Sequence, residues 1–157
     1  MKKILVTGGL GYIGSHTVVE LQAEGYDVLV VDNLSNSKEE VKARIEDISG
    51  QSLELQIADV NDTNALESLF NKHQFDGVIH FAAHKAVGES VEHPVMYYQN
   101  NVSGLISLLG TMEKYGVSNL IFSSSCTVYG ASTDLPVTES TQIQKAESPY
   151  GTTKILG

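Results

Sequence analysis

Residues 3–14 read KILVTGGLGYIG, a short apolar run that ends in closely spaced glycines. Glycine has no Cβ, so such a turn lets the backbone approach a pyrophosphate, which the amides and dipole of a following helix then hold. Apolar residues recur afterwards at Ile13, Val18 and Leu21, with the spacing of a helix. The glycines therefore lie between a strand and a helix, and we predict a dinucleotide-binding turn over a merely glycine-rich one.

Strand and helix patterns alternate along the rest of the chain. The predicted strands are 3–7, 27–31, 53–57, 77–82 and 119–123. The predicted helices are 12–24, one begun by a Ser37–Glu40 capping box, one capped by Asp62 or Thr63, 94 to about 114, and 149–157. This alternation predicts an α/β fold with a doubly wound parallel sheet, and one nucleotide-binding domain over residues 1–157. Ligands of such sheets bind beyond the carboxyl ends of the strands.

Composition excludes several classes of function. The chain has 157 residues, of which 41% are apolar and 18% charged, as in a folded globular domain. A formal charge of -9 with only ten Lys and Arg argues against nucleic acid as a partner. No apolar run approaches the ~20 residues of a membrane helix, so no membrane partner is expected. The lone Cys126 favours a cytoplasmic location, and the five histidines lack zinc spacing, so no metal is expected.

Asp32 follows the second predicted strand, about twenty residues after the glycines. A carboxylate at this position accepts hydrogen bonds from the ribose hydroxyls of NAD and repels the 2′-phosphate of NADP. The five following residues, Asn33 to Ser37, contain no Arg or Lys that could bind such a phosphate. We therefore predict NAD as the cofactor, although a solvated acid at a strand end is an ordinary structural alternative.

Tyr150 and Lys154 are four residues apart, so they project from one face of the last predicted helix. A Lys ammonium close to a phenol favours the phenolate, which can act as a general base. Three serines, Ser123, Ser124 and Ser125, follow the fifth predicted strand, where a serine hydroxyl can bond a substrate alkoxide, although ordinary strand-end hydrogen bonding is equally likely for Ser123 and Ser124. The Tyr-x-x-x-Lys spacing also occurs by chance on surface helices, so it carries weight here only together with the serine.

Further segments complete a recognisable pattern. They are DNLSNS at 32–37, Asp59-Val60, HFAAHKAVGES at 80–90, YYQNNV at 97–102, SSSCTVYG at 123–130 and SPYGTTK at 148–154. With the glycine turn, they make the chain resemble the extended short-chain dehydrogenase/reductase family over nearly its whole length. Within that family it resembles the UDP-glucose 4-epimerases most. A small residue such as Ala is usual where this chain has Cys126.

The resemblance implies a Rossmann-type NAD-binding domain and assigns roles to individual residues. Ser125, Tyr150 and Lys154 would form the catalytic trio, and they would also contact NAD. The remaining implied cofactor contacts are Gly8, Gly11, Tyr12, Ile13, Gly14, Asp32, Asn33, Leu34, Ser35, Asn36, Ser37, Asp59, Val60, Phe81, Ala82, Ala83, His84, Lys85 and Asn100. The first of these would surround the pyrophosphate, those from Asp32 to Val60 the adenosine, and the rest the nicotinamide half.

The resemblance also implies an activity, the interconversion of UDP-galactose and UDP-glucose. Tyr150 would remove the proton of the sugar 4-hydroxyl while hydride passes from C4 to NAD, and the 4-keto sugar would take the hydride back on its other face. Family members are considerably longer and carry a C-terminal substrate domain, and we expect a homodimer when the protein is full length. We expect that domain to be absent here and the chain alone to be inactive.

Competing functions remain at this stage. Nucleotide-sugar 4,6-dehydratases carry an Asp-Glu pair after the fifth strand, where this chain has Cys126-Thr127, which argues against them. Nucleotide-sugar decarboxylases and 4-epimerases of N-acetylated sugars stay open, because their distinguishing contacts lie mostly in the expected substrate domain. A non-catalytic NAD-binding module is the alternative from a different class.

Overall fold

The computed structural model describes residues 1–133 and 135–157. The chain forms two compact units. The first unit comprises Met1–Ala82 and Ile106–Ser123, and the second unit comprises Ala83–Leu105 and Ser124–Gly157.

The first unit contains a parallel sheet with the strand order β3-β2-β1-β4-β5. Its strands are β1 (Lys3–Thr7), β2 (Asp27–Asp32), β3 (Glu54–Ile57), β4 (Gly77–His80) and β5 (Leu120–Phe122). From β1 the chain first builds outward to β2 and β3, then returns to place β4 on the other side of β1. This order confirms the predicted doubly wound sheet, and its switch point lies between β1 and β4.

Helices of the first unit cover both faces of that sheet. They are α1 (Tyr12–Ala23), α2 (Glu40–Ser49), α3 (Thr63–Lys72) and most of α6 (Gly104–Lys114). Successive side chains of β1 point to opposite faces, so Leu5 packs with Leu66 of α3 and Leu108 of α6, whereas Val6 packs with Val18 of α1. Each such buried side chain contributes about 1.5–3 kcal/mol. Burial on both faces explains why the strands read as continuous apolar runs.

The second unit is mainly helical and less regular. It contains α4 (Val87–Glu92), α5 (Pro94–Tyr97), a π-helix (Tyr98–Ser103), the first residues of α6, a 3₁₀ helix (Cys126–Tyr129) and α7 (Pro149–Leu156). Helix α7 begins with Pro149 in its first turn, and the Ser148 side chain accepts a 3.1 Å hydrogen bond from the Gly151 amide. In the part of the chain that the structure describes, no helix is long and apolar enough to cross a membrane.

Four details differ from the sequence-based prediction. The helix predicted from 94 to 114 is interrupted by the π-helix, and α4 was not predicted. Strands β4 and β5 are shorter than predicted. The Ser37–Glu40 capping box does not form, since the N-cap of α2 is Glu39 without a side-chain bond. Ser37 instead donates a 2.7 Å hydrogen bond to Asp32, whose carboxylate is the stronger acceptor.

Candidate active site

The glycine turn after β1 is shaped by close backbone packing. A Cβ at Gly14 would lie 2.3 Å from the Gly8 carbonyl oxygen, and one at Gly9 would lie 2.6 Å from Cγ2 of Val30. Gly8 has a φ of 69°, and a Cβ there would lie 2.7 Å from the Ala82 amide nitrogen. These three positions thus have no room for a side chain, and glycine there lets the start of α1 lie against the ends of the strands.

The first turn of α1 has backbone amides without a side-chain cap and apolar side chains that are exposed. Its N-cap, Gly11, provides no side-chain bond to the first-turn amides. The side chains of Tyr12 and Ile13 are 83% and 60% exposed, so two consecutive large apolar residues reach the surface at this turn. This combination suits a ligand that carries both an anionic group and an apolar surface.

Asp32 is a buried acceptor at the end of β2. Its Oδ2 atom accepts a 3.0 Å bond from the Leu10 amide, and Oδ1 accepts bonds of 3.0 Å from the Leu34 amide and 2.7 Å from the Ser37 hydroxyl. A carboxylate has about four acceptor positions, so one remains for a ligand hydroxyl. Asp32 therefore holds the glycine turn and the following loop together, a structural role that its position in the sequence did not reveal.

The loop after Asp32 connects to the end of β3. Leu34 adopts a φ of 59°, a left-handed conformation that is rare for a non-glycine residue. Asn33 donates a 2.8 Å bond to Oδ2 of Asp59, and Oδ1 of Asp59 accepts bonds from the backbone and side chain of Asn61. The side chain of Val60 is buried in the core, so only its backbone can contact a ligand. Ser35 and Asn36 are exposed.

Thr7 and His80 form a buried pair that sequence reasoning missed. The Thr7 Oγ1 and His80 Nδ1 atoms lie 2.7 Å apart, and both residues are almost completely buried. Phe81 donates a 3.0 Å backbone bond to the Thr7 carbonyl, and the Ala82 amide lies 3.5 Å from the Thr7 hydroxyl. Residues 81 and 82 are thereby fixed beside the end of β1. A threonine at a strand end gives no sequence signal that distinguishes it from an ordinary β-branched residue.

Ser125 belongs to the second unit, where it caps the 3₁₀ helix. Its Oγ atom accepts a 3.3 Å bond from the Thr127 amide and a 3.0 Å bond from the Thr127 hydroxyl. Both bonds use the oxygen as acceptor, which directs the Ser125 proton elsewhere. The neighbouring Cys126 is exposed.

Helix α7 carries Tyr150 and Lys154, and both side chains are buried. Burial lowers the pKa of the Lys154 ammonium to about 8. The helix packs closely on the 3₁₀ helix, because a Cβ at Gly151 would lie 3.4 Å from the Cβ of Thr127. The second unit thus contains all three predicted catalytic residues, with Ser125 bonded to the same threonine that contacts α7.

A backbone hydrogen bond joins the two ends of the loop between the 3₁₀ helix and α7. Gln144 donates a 3.1 Å backbone bond to the Val128 carbonyl. Gly130 has a φ of 57°, and a Cβ there would lie 2.7 Å from the Lys145 carbonyl oxygen. The backbone at both ends of residues 131–143 is therefore fixed at one place in the second unit.

Asn101, in the π-helix, is a buried hydrogen-bonding centre that sequence reasoning also missed. Its Oδ1 atom accepts bonds of 2.8 Å from the His84 amide and 2.9 Å from Asn100 Nδ2. Its Nδ2 atom donates to the His84 carbonyl at 2.9 Å and to the Thr153 hydroxyl at 3.0 Å. Thr153 in turn donates to the Tyr150 carbonyl at 2.7 Å. An available signal was the Asn100-Asn101 pair inside an apolar helical pattern, where asparagine is unfavourable unless its side chain is bonded.

The remaining predicted nicotinamide-side residues also lie in the second unit. Ala83 and His84 are half-buried, and Lys85 is exposed at the surface of that unit. Across residues 1–133 and 135–157, no three His, Cys, Asp or Glu side chains form a group that could hold a metal ion.

Comparison with known proteins identifies the family. A family model described as GDP-mannose 4,6 dehydratase matches residues 5–157. The chain belongs to this family.

Individual members with high similarity are UDP-glucose 4-epimerases. The Bacillus subtilis enzyme is 51% identical over 153 residues, covering 98% of this chain and 45% of the enzyme. A Stenotrophomonas maltophila enzyme solved with NAD and formylated UDP-arabinopyranose has a TM-score of 0.96 and 47% identity, covering 99% of this chain and 46% of the solved chain. A Bifidobacterium longum enzyme solved with NAD+ and UDP has a TM-score of 0.97 and 46% identity, covering 99% and 46% respectively.

These similarities confirm the resemblance to UDP-glucose 4-epimerases and the Rossmann-type fold. They also show that the chain spans less than half the length of these relatives, at 45% of the Bacillus subtilis enzyme.

Proposed function

We propose that this chain provides the NAD-binding and proton-transfer residues of a UDP-glucose 4-epimerase. The observation that carries the proposal is the placement of Ser125, Tyr150 and Lys154 in one compact unit, with Tyr150 and Lys154 buried on α7. A Tyr-x-x-x-Lys pair on an ordinary surface helix would be exposed to solvent. Here both side chains are buried, and burial lowers the pKa of Lys154 to about 8, the kind of shift that is common at catalytic sites.

The residues that would hold NAD fit its chemistry. The glycine turn admits a pyrophosphate, exposed Tyr12 and Ile13 offer it an apolar cover, and Asp32 keeps one acceptor position for a ribose hydroxyl. We assign the loop 33–37 and Asp59 with Val60 to the adenosine. Phe81, Ala82, Ala83, His84, Lys85 and Asn100 are assigned to the nicotinamide half. When bound, NAD would accept hydride from C4 of the sugar and return it to the opposite face.

The catalytic residues of the chain would move the proton. Tyr150, as phenolate, accepts the proton of the sugar 4-hydroxyl and returns it after the 4-keto sugar has turned over. The Lys154 ammonium stabilises the phenolate through its charge and also bonds the nicotinamide ribose. Ser125 donates its hydrogen bond to the sugar oxygen, since its own oxygen is already used as an acceptor by Thr127.

A 4,6-dehydratase is the second candidate, because the matching family model carries that description. Such an enzyme needs an acid and a base to expel water from the sugar after oxidation at C4. Residues 123–130, which follow β5, contain no carboxyl side chain. This favours epimerisation, in which the sugar skeleton is conserved.

The full-length protein tests the two candidates directly. Purified enzyme is incubated with UDP-galactose, and UDP-glucose is measured through its oxidation by a coupling dehydrogenase, while 4-keto-6-deoxy sugar is followed by its absorbance in alkali. We expect UDP-glucose and no 4-keto-6-deoxy product. Formation of the deoxy sugar from a nucleotide-linked hexose would assign the dehydratase, and neither product would favour a non-catalytic NAD-binding module.

Cofactor choice gives a separate test. Replacing Asp32 with Asn removes the charge and one acceptor oxygen, so we expect NAD affinity to fall by about 10- to 100-fold and discrimination against NADP to decrease. Asp47→Asn is the matched control, because Asp47 is exposed on α2. Equal affinities for NAD and NADP in the unmodified protein would contradict the role of Asp32.

Location and assembly complete the proposal. We expect a cytoplasmic enzyme that forms homodimers at full length, as the resemblance implies. Light scattering of the full-length protein after size-exclusion chromatography measures the second point, and a monomeric mass at micromolar concentration would contradict it.

A further inference from the structure

The hydroxyl of Tyr97 bridges two ends of a hydrogen-bonding arrangement at the start of α4. It accepts a 2.9 Å bond from the Ala86 amide and donates a 2.7 Å bond to Oε2 of Glu89. Ala86 is the N-cap of α4, and Glu89 is the third residue of that helix. In an ordinary capping box the glutamate at this position bonds the N-cap amide directly. Here the tyrosine hydroxyl is inserted between the two partners.

The ring of Tyr97 contacts the predicted general base. Its centroid lies 6.4 Å from that of Tyr150, with the two rings at 80° in an edge-to-face arrangement. It also lies 5.5 Å from the centroid of His84. Tyr97 is completely buried, so both contacts are shielded from water.

The bridge does not titrate under ordinary conditions. Burial, together with the hydrogen bond to Glu89, raises the pKa of Tyr97 to about 12. The hydroxyl therefore keeps its proton at neutral and mildly alkaline pH. A buried polar group is tolerated when its bonds are made, and both bonds of this hydroxyl are made.

We infer that Tyr97 is a positioning residue for Tyr150, and that Glu89 acts on Tyr150 through the Tyr97 hydroxyl. The inference rests on the proposed role of Tyr150. The two hydrogen bonds fix the position and orientation of the Tyr97 ring. The packing of that ring against Tyr150 in turn limits where the Tyr150 ring can lie. The same hydroxyl anchors Ala86, which ends the segment His84–Ala86 that Asn101 holds from its other side.

The test uses the full-length enzyme, five single variants and one double variant. Tyr97→Phe keeps the ring and removes both hydrogen bonds, whereas Glu89→Ala removes only the acceptor. The matched controls are Tyr98→Phe and Glu92→Ala, since Tyr98 is 37% exposed and Glu92 is an exposed carboxylate on the same helix. For each, kcat, KM for the nucleotide sugar, bound NAD and the midpoint of thermal unfolding are measured.

We expect Tyr97→Phe and Glu89→Ala each to lower kcat by about 10- to 100-fold, because small displacements of reacting groups have effects of this size. KM, NAD content and the controls should change little. The double variant should be no slower than the slower single variant, since both changes break one chain of bonds. Glu89→Gln should recover most of the rate, because its amide oxygen accepts the same hydrogen bond.

Hydrogen exchange separates this inference from the proposed function. The Ala86 amide should exchange faster in Tyr97→Phe than in the wild type or in Tyr98→Phe, whatever the activity. An inactive wild type would overturn the proposed function, and exchange at Ala86 would still decide whether the bridge holds α4. Faster exchange with unchanged kcat would overturn the positioning role. A simultaneous loss of kcat, NAD content and thermal stability would also overturn the positioning role, because it would indicate general destabilisation.

Discussion

The glycine turn of the first unit and the surroundings of Tyr150 in the second unit reach fixed geometry by opposite means. In the turn, space is limiting, since a Cβ at Gly14 would lie 2.3 Å from a carbonyl oxygen. Around Tyr150, buried side chains supply the order, with Asn101 and Thr153 connected by a 3.0 Å hydrogen bond. The first region should therefore fail when atoms are added, and the second when polar atoms are removed.

The largest effect is expected from removing one oxygen at the catalytic helix. Tyr150→Phe, made in the full-length enzyme, should lower epimerase turnover by about 100- to 10,000-fold, as is typical for loss of a general base. NAD content and the unfolding midpoint should be nearly unchanged, because the ring still fills its site. Stopped-flow or coupled assays measure the rate, with Tyr98→Phe as control. A rate near that of the wild type would show that another group takes the proton.

Adding one methyl group tests the opposite region. Gly14→Ala should destabilise the protein by about 1–3 kcal/mol through overpacking, and weaken NAD binding at least about tenfold. Gly110→Ala in α6 is the matched control, since no atom beyond its chain neighbours and the backbone of its own helix lies within 4 Å of the added Cβ. That control should be stabilised by about 0.5–1 kcal/mol. Urea unfolding measures the stability, and calorimetric titration measures NAD binding. Normal NAD binding by Gly14→Ala would contradict the claim that the glycine turn is limited by space.

Truncating the buried amide tests the second region without touching a catalytic residue. Asn101→Ala leaves the His84 amide and carbonyl without their side-chain partner, so the free energy of unfolding should fall by about 1–3 kcal/mol. Asn64→Ala on α3 is exposed and should change it by less than about 0.5 kcal/mol. Urea unfolding compares the two variants. Equal effects would mean that the Asn101 bonds do not order the second unit.

The smallest effect concerns pH. Burial lowers the pKa of Lys154 to about 8, so between that pH and 10.5 the unfolded chain binds a proton that the folded chain does not. The free energy of unfolding without NAD should thus rise with pH in this window, by on the order of 1–2 kcal/mol. Lys154→Met should lack the rise. The free energy of unfolding of both proteins is measured at pH 8 and pH 10. The same pH dependence in both would contradict the lowered pKa of Lys154.

Most of the first unit could be predicted from sequence because its signals are local. Apolar runs buried on both faces mark the strands, and glycines at a strand-to-helix turn mark the start of α1. One exception is Ser37, whose hydroxyl bonds a carboxylate brought close by folding instead of capping α2. A capping pattern cannot show whether a stronger acceptor lies nearby.

The second unit was harder to predict because its buried positions are polar. In α4 the buried residue is Ser90, whereas Val87 and Val91 are 47% and 62% exposed, so the apolar pattern does not mark the inner face. The π-helix after Tyr97 differs from an α-helix in its hydrogen-bonding partners, which the residue types do not specify. Tyr97, Asn101 and Thr153 act through contacts distant in sequence, which no single-sequence pattern contains.

The backbone hydrogen bond between Gln144 and Val128 has a consequence for protein engineering. The 3.1 Å backbone bond joins the segments on either side of residues 131–143. A change of length in this stretch therefore need not displace Ser125 or Tyr150. This makes the loop a natural insertion point for an epitope or a fluorescent reporter, and a place where sequences of different lengths can diverge while the chemistry beside them is retained.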